Sequence, residues 1–569
     1  MNSADMFLIL SVIATLQLLA FWLLNKLDYY RIKQFAAWPQ PKPSRIWGHM
    51  KDLNAFISRG EPNRHIGKED YVFAEIKAHL GNPPLYLLDA RPMQHPLGIV
   101  CSHEIAEQVS RSSKQFPYGL PKTPTLQDYK YLVGPHSILT SEGEEWKSLR
   151  KRFNPGFAPQ HILTLLPRIL DKTVPFFETL DRYAESGEEF SLAETCTNLT
   201  FDIIGAVTMD EDLGAQLPLD KQSEMVRLYH ELTASYHQKS SVRAKPSNPL
   251  VIWQQYKLAR KLNAIIKNHI KRKFAELKEA SSDEKKSRSV LALSLQGIEK
   301  LDAHVLDQTC DQLKTFLFAG HDTTSIVLQW AFYELSRTPR VLESISRELD
   351  DVFGPDPSPA VVRDKLLAPN GGELLSKLPY TTAVIKEILR VYPSSGTGRL
   401  VPEGSDVYIQ LPDGRSLCID GVLMYNCETL IHRDETVYGE SKDDFLPERW
   451  LGDSGADRIP SSAWRPFERG PRSCIGQGLA TIEAQVILAC AVRQYEFVKI
   501  GLGEVARDNA GEPILGPQGQ YEVKSKLFNV SLPVSFWDLS TALTFKLDNA
   551  SDCKAGRWND NESEVVLRW

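Results

Sequence analysis

Phe467-Glu468-Arg469-Gly470-Pro471-Arg472-Ser473-Cys474-Ile475-Gly476 is the stretch on which the fold turns. It holds a cysteine between glycines, places an arginine two residues before it, and leads into the apolar run Gly478 to Val492, which predicts a long helix. A sulfur that must stay unprotonated needs backbone N–H donors and nearby positive charge. Gly470 and Gly476 let the loop turn tightly, and Arg472 is able to pair with a carboxylate. These are the requirements of an axial thiolate, Cys474, beneath haem iron. A lone cysteine would read as a buried structural residue, but ten residues of this type and order argue against it.

Upstream, Leu301 to Thr338 is the longest helical pattern in the chain. Phe316, Ala319, Gly320 and Thr323 fall at i, i+3, i+4 and i+7, one helix face, with small residues in its middle that leave room for something. A glycine inside a helix costs about 0.5–1 kcal/mol relative to alanine. Gly320 reads equally as clearance for a ligand or as a helix-packing glycine beside a solvated Asp322. Tyr380 to Tyr392 predicts an amphipathic helix with Glu387 and Arg390 three apart, a pairing common on ordinary helix surfaces. Ser141 to Arg150 predicts the start of a helix with a Ser cap and acids in its first turn. Trp146 and Arg150, four apart, share a face of that helix.

Together these segments resemble the cytochrome P-450 (haem-thiolate monooxygenase) family. Its Phe-x-x-Gly-x-Arg-x-Cys-x-Gly pattern is filled by Phe467, Gly470, Arg472, Cys474 and Gly476. Ala319-Gly320-His321-Asp322-Thr323-Thr324 is similar to the family's oxygen-binding segment, where the helix widens and Asp322 and Thr323 would relay protons. Trp146 and Arg150 match the Trp-x-x-x-Arg element that contacts a haem propionate, and Arg399 matches more loosely a second propionate contact. Glu387, Arg390 and Arg449 match a buried ion triad that holds the haem-loop scaffold, and Phe116 to His136 corresponds to the loop that covers the substrate. The resemblance implies one large, mainly α domain with small β sheets, an α+β cytochrome P-450 fold with haem b between the oxygen helix and the helix after Cys474. Its implied haem-binding set is Trp146, Arg150, Ala319, Gly320, Arg399, Phe467, Arg472, Cys474 and Gly476, with Cys474 the iron ligand.

The function implied is monooxygenation with O2 as co-substrate. Electrons would come from NADPH through a separate membrane-bound flavoprotein reductase, because no Gly-x-Gly-x-x-Gly dinucleotide pattern appears. The chain looks like fungal members that act on polyketide or terpenoid intermediates in secondary metabolism. Two other classes stay open: an isomerase or dehydratase of the same fold, which usually lacks the acid and alcohol pair, and a non-catalytic haem-binding protein.

The ends of the chain set its location. Met6 to Leu24 is a 19-residue apolar run interrupted only by Ser11, Thr15 and Gln17, long enough for one bilayer crossing. No basic residue precedes it and no small-x-small site follows, so it reads as a retained anchor (1–27) rather than a signal peptide. Only Asp5 precedes the run, whereas Lys26, Arg31 and Lys33 follow, which places the body in the cytosol. The endoplasmic reticulum membrane, crossed once, is the expected location. Trp38-Pro39-Gln40-Pro41-Lys42-Pro43 predicts a stiff, non-helical hinge (28–50). The catalytic domain is then expected over 51–539, with a polar, irregular tail at 540–569. A net charge of −6 with interspersed signs gives no reason to expect nucleic acid. Eight scattered cysteines without Cys-x-x-Cys spacing fit a reducing compartment.

Overall fold

The structure, a computed structural model, describes residues 3–58, 68–236, 248–279, 288–452, 458–501, 503–524 and 544–549. Its axis is the helix Ala303–Arg337, opened by Asp302, whose side chain accepts from the Val305 N–H at 2.9 Å. Leu313, Phe316, Leu317, Ile326, Leu328 and Trp330 are buried on different sides of it, as a helix packed on all faces requires. The helix Leu192–Met209 lies across its middle, and a Cβ on Gly320 would sit 2.7 Å from Ile204. Gly320 therefore allows close helix packing, although Asp322 beside it is buried and not solvated as the second of the two readings had it. Pro379–Val391 and Gln477–Ala491 close the core on other sides.

A four-stranded sheet flanks this bundle. Leu85–Leu88 pairs antiparallel with Leu97–Val100, which runs parallel to Leu423–Asn426, itself antiparallel to Thr397–Leu400. Both faces are covered. Leu85, Leu87, Val100 and Met424 point into one apolar cluster, and Tyr86, Leu88, Ile99 and Cys101 into another, by the two-residue alternation of a strand. The expected class, mainly α with small sheets, is what the chain forms.

The N-terminal helix Ser3–Asp28 leads into a π-helical turn, Tyr29–Lys33. Ile9–Lys33 is long and apolar enough to cross a membrane, and that stretch fits an anchor. The segment after it is docked, not a free spacer. Arg31 is buried with Nη1 3.0 Å from Asp89 Oδ2 and Nη2 donating to the Arg91 carbonyl at 2.5 Å. Phe35 and Trp38 join the sheet core, and the Leu87 N–H donates to the Pro39 carbonyl at 2.8 Å, so the prolines run along the sheet edge. Arg31 is thus engaged within the fold, which leaves Lys26 and Lys33 as the flanking charges beyond the apolar run.

This changes where an anchorless chain should start. A chain beginning at Tyr29 is expected to keep the stability of the full body. One beginning at Ala36 loses a buried Arg–Asp contact and the Phe35 ring, together about 3–5 kcal/mol. Urea midpoints read from haem absorbance check this; equal midpoints for the two chains would show that the docked segment contributes nothing.

At the other end, Thr544–Asn549 is a strand paired antiparallel with Tyr495–Ile500 and with Phe190–Ser191, and Leu547 is fully buried. The body therefore extends past the expected boundary at 539. Phe545 and Leu547 alternate with Lys546 and Asp548, a short period-two signal set in a polar stretch. The rest of the expected tail lies outside the described residues.

Candidate functional site

Between the central helix and the helix Gln477–Ala491 lies a cavity of about 920 Å³. Trp146, Arg150, Ala319, Gly320, Thr323, Phe467, Arg472, Cys474 and Gly476 all line it; Arg399 and Asp322 do not. Residues distant in sequence thus meet at one place.

Cys474 is the only exposed cysteine among the seven described, and its exposure is to this cavity. Its N–H donates to the Phe467 carbonyl at 2.8 Å, which closes the loop. Burial pushes the thiol up, while the N–H groups of Gly476 and Gln477 and the Arg150 charge pull it down. Gly470 has φ +76°, and a Cβ there would lie 2.3 Å from the Ser110 carbonyl oxygen, so only glycine fits. Gly476 differs from its expected role: its φ is −87°, open to any residue. A Cβ there would touch Cys474 Sγ at 3.8 Å, so its absence clears space beside the sulfur.

Glu468 was not anticipated. It adopts φ +53°, which costs a non-glycine residue about 1–2 kcal/mol. Its carboxylate offsets that strain by accepting from Ser110 Oγ at 3.0 Å, Asn426 Nδ2 at 3.0 Å, the Arg469 N–H at 3.0 Å and Arg465. Burial pushes this carboxyl up, but Arg465 and Asn426 outweigh it and hold it below the usual range. The only sequence signal was Arg465 and Glu468 three apart in the loop.

One edge of the cavity is rich in cations. Arg472 donates to Glu142 Oε2 at 2.8 Å and to the Ser141 carbonyl at 2.9 Å, and lies 4.7 Å from the Trp146 ring centroid. Arg150 donates to the Ser473 carbonyl at 2.8 Å. The expected Ser141 cap is absent: the helix is Gly143–Phe153, and Glu142 occupies the N-cap position without a side-chain cap bond. The carboxylate of Glu142 is committed instead to Arg472 and to the Lys122 N–H at 2.8 Å. Arg399 is fully buried and donates only to the Leu120 carbonyl, at 3.3 Å; its Nε and Nη2 have no partner among the described residues. Burial, with Arg472 nearby, lowers it to about 10.

Lys122, which the sequence reading missed, forms a β-bridge with Arg399 and lines the cavity. Burial and the charges of Arg399 and Arg472 hold its ammonium well below the usual range. A buried guanidinium with two unpartnered nitrogens, Arg399, bridged to half-buried Lys122, calls for an anion. A flat cofactor carrying two carboxylates, with a metal able to take a cysteine sulfur, fits these residues, and haem is such a group.

On the central helix the expected pair separates. Thr323 faces the cavity, and its hydroxyl donates to the Ala319 carbonyl at 2.7 Å, leaving its lone pairs free. Asp322 is buried elsewhere, near Tyr229, with Oδ2 unpartnered among the described residues; burial pushes its carboxyl well above the usual range. The helix is α-helical without a break here, so no local widening is seen.

Away from the cavity, Glu387 and Arg390 are wholly buried. Arg390 grips the carboxylate with Nε at 2.9 Å and Nη2 at 2.8 Å, and Arg449 Nε donates to Glu387 Oε1 at 2.9 Å. The Trp450 indole donates to Oε2 at 2.8 Å and the Leu446 N–H to Oε1 at 3.0 Å. Sequence order and spacing could not show the indole and amide donors.

The cytochrome P450 family profile matches residues 85–524 of this chain. The chain is 31% identical over 438 residues to cytochrome P450 monooxygenase acrF of Aspergillus aculeatus, covering 73% of this chain and 84% of that protein. To cytochrome P450 monooxygenase polC of Polytolypa hystricis it is 28% identical over 485 residues, 83% of each. To human cytochrome P450 4V2 it is 28% identical over 523 residues, 88% of this chain and 93% of that protein.

Proposed function

We propose a function from the premise that this chain belongs to the cytochrome P450 family and is a monooxygenase: it oxidises a bulky organic substrate, a polyketide or terpenoid intermediate of fungal secondary metabolism, with electrons from NADPH through a separate flavoprotein reductase. The observation that carries the reading is the meeting of Cys474, Thr323 and Lys122 around one cavity, with the buried Arg399 bridged to Lys122 behind its wall. The short small-residue segment Ser394 to Gly398 in its wall leaves space for a large ligand. Fungal monooxygenases among the relatives support the metabolic context. The apolar N-terminal helix, with Lys26 and Lys33 after it, supports an endoplasmic reticulum anchor and a cytosolic body.

When bound, haem ligated by a cysteine thiolate supplies O2 activation, since the thiolate pushes electron density towards the O–O bond. Cys474 would hold the iron, while Arg399, Lys122, Arg472 and Arg150, with Trp146, would hold the carboxylates. The Thr323 hydroxyl donates its hydrogen bond to the Ala319 carbonyl, so it offers the cavity an acceptor that can order a water or a protonated species there. Burial favours the protonated form of Asp322, and we assign it the supply of protons to that side, which requires its side chain to turn from the Tyr229 side.

Metabolite profiling of a strain with and without this protein, followed by reconstitution with reductase and NADPH, tests the reading. Product formation independent of NADPH would favour an isomerase; haem binding without product would favour a binding protein. Within the same assay Thr323→Ala should lower product per NADPH and raise peroxide. Asp322→Asn should slow turnover by about a hundredfold, the usual worth of acid–base assistance. Unchanged coupling and rate in both, with only shifted melting temperatures, would reduce the pair to packing residues.

A further inference from the structure

Four buried acids in the described residues carry a carboxyl oxygen without a hydrogen-bond partner, Asp322, Glu334, Glu428 and Glu483, and of these Glu334 has its free oxygen 3.7 Å from Arg337 Nε. Glu483 has no charged group acting on it, and Asp322 is turned from the cavity. Glu428 differs from both. It is 2% exposed, begins the short helical turn Glu428–Ile431, lines the cavity, and shares that region with Lys122.

The charged groups facing Glu428 come from every side. Glu468 and Arg465 belong to the ligand loop, Asp70 to the helix Lys68–His79, Lys122 to the substrate-covering loop, and Tyr425 to the preceding strand. The neighbouring acids are already served: Asp70 accepts from Tyr425 at 3.1 Å and Thr429 at 2.6 Å, and Glu468 accepts from Arg465 and Asn426. Lys122 makes no ion pair with Glu428, although both line the cavity. Glu428 Oε2 has no hydrogen-bond partner among the described residues, and the residue lines the cavity together with Lys122, whose bridge partner is Arg399.

We propose that Glu428 is a further cofactor-binding residue, which donates a hydrogen bond to one carboxylate of the haem beside Lys122. The proposal rests on the reading of the cavity as a haem site. Burial, reinforced by Glu468 and Asp70 and opposed by Arg465 and Lys122, pushes the Glu428 carboxyl well above the usual range, which favours its protonated, hydrogen-bond-donating form. A cofactor carboxylate placed next to it adds negative charge and holds the proton more firmly, so binding and protonation support each other. A carboxylic acid kept neutral by its surroundings for donation is a known device of protein sites.

The test is the rate at which the purified full-length holoprotein gives up haem to excess apomyoglobin, followed across pH for wild type, Glu428→Gln and Glu428→Leu. Glu428→Leu removes the donor and should release haem at least tenfold faster at neutral pH. Glu428→Gln keeps a donor of the same reach and should match wild type at neutral pH. As pH rises through the raised carboxyl value, wild type should accelerate because Glu428 ionises against the cofactor carboxylate, and Glu428→Gln should lack that phase. Lys122 and Tyr425 titrate in both proteins, so the difference between the two curves is the readout. Coincident wild-type and Glu428→Gln curves, or wild-type release from Glu428→Leu, would overturn the proposal; if the leucine variant fails to fold, the first comparison still decides. Wild-type protein purified without any haem would instead sink the haem reading itself.

Discussion

Replacing Cys474 by serine is expected to abolish the red-shifted ferrous carbon monoxide band that only a thiolate-ligated haem gives. The substitution changes one atom, and the N–H of residue 474 keeps its bond to the Phe467 carbonyl, so the loop should retain its shape. What changes is the ligand: a serine hydroxyl does not ionise near neutral pH, and its oxygen does not donate electron density as a thiolate does. No other described cysteine can substitute. Cys101, Cys196, Cys310, Cys427 and Cys490 are buried, and half-buried Cys418 lies on the small hairpin formed by Tyr408–Gln410 and Ser416–Cys418. Product formation should fall below detection while the folded fraction, followed by circular dichroism, changes little. An unchanged carbon monoxide band would mean that another group ligates the iron and that the loop has been misread.

The parts of this site that were legible before folding are those in which one segment carries its own pattern. Cys474 with its glycines, the Ala319–Gly320–Thr323 face and the Trp146–Arg150 pair each lie within a few turns of chain. What escaped was assembled from afar. Lys122 and Arg399 are brought together by a bridge between a loop and a strand, and Glu468 meets Ser110 and Asn426 across three separate segments. Arg31 was counted as a flanking charge because nothing near it in sequence announces Asp89. Ser141 failed as a cap because the helix begins at Gly143, which leaves Glu142 at the N-cap position and its carboxylate on Arg472 and the Lys122 N–H, partners distant from it in sequence. Asp322 and Thr323 are adjacent in sequence, but about 100° apart around a helix, so only one of them reaches the cavity.

Glu387→Ala is expected to have the second large effect, on stability rather than chemistry. The carboxylate receives five donors: Arg390 through two nitrogens, Arg449, the Trp450 indole and the Leu446 N–H. Removing it leaves two guanidinium groups facing a void in the interior, and breaking a buried pair in this way costs about 3–5 kcal/mol. Against a total stability of about 5–15 kcal/mol, that loss should show as poor yield of folded, haem-containing protein. The damage should also reach the cysteine. Trp450 stands edge-on to Trp464 at 5.9 Å, and Trp464 to Phe467 at 6.2 Å, while Arg390 donates to the carbonyl of His432, whose Nε2 accepts the Arg465 N–H at 3.0 Å. Glu387→Gln should be milder, because Arg390 keeps the carbonyls of His432, Lys442 and Asp444 and Arg449 keeps that of Ser441.

The two variants also separate charge from packing through pH. Burial pushes the Glu387 carboxyl up, but Arg390 and Arg449 outweigh it and hold the folded-state value below that of the unfolded chain. Its stabilisation is therefore complete above the unfolded carboxylate value and disappears as pH falls through the folded one. Asp322, Glu428 and Glu483 have the opposite sign, since their raised values make stability fall as pH rises through them. Urea midpoints measured from neutral to acid pH should decline less steeply in Glu387→Gln than in wild type, because the variant has no carboxylate to protonate. Parallel acid limbs, or a Glu387→Ala variant as stable as wild type, would show that the three charged groups are held by their surroundings and do not themselves hold the ligand-loop scaffold.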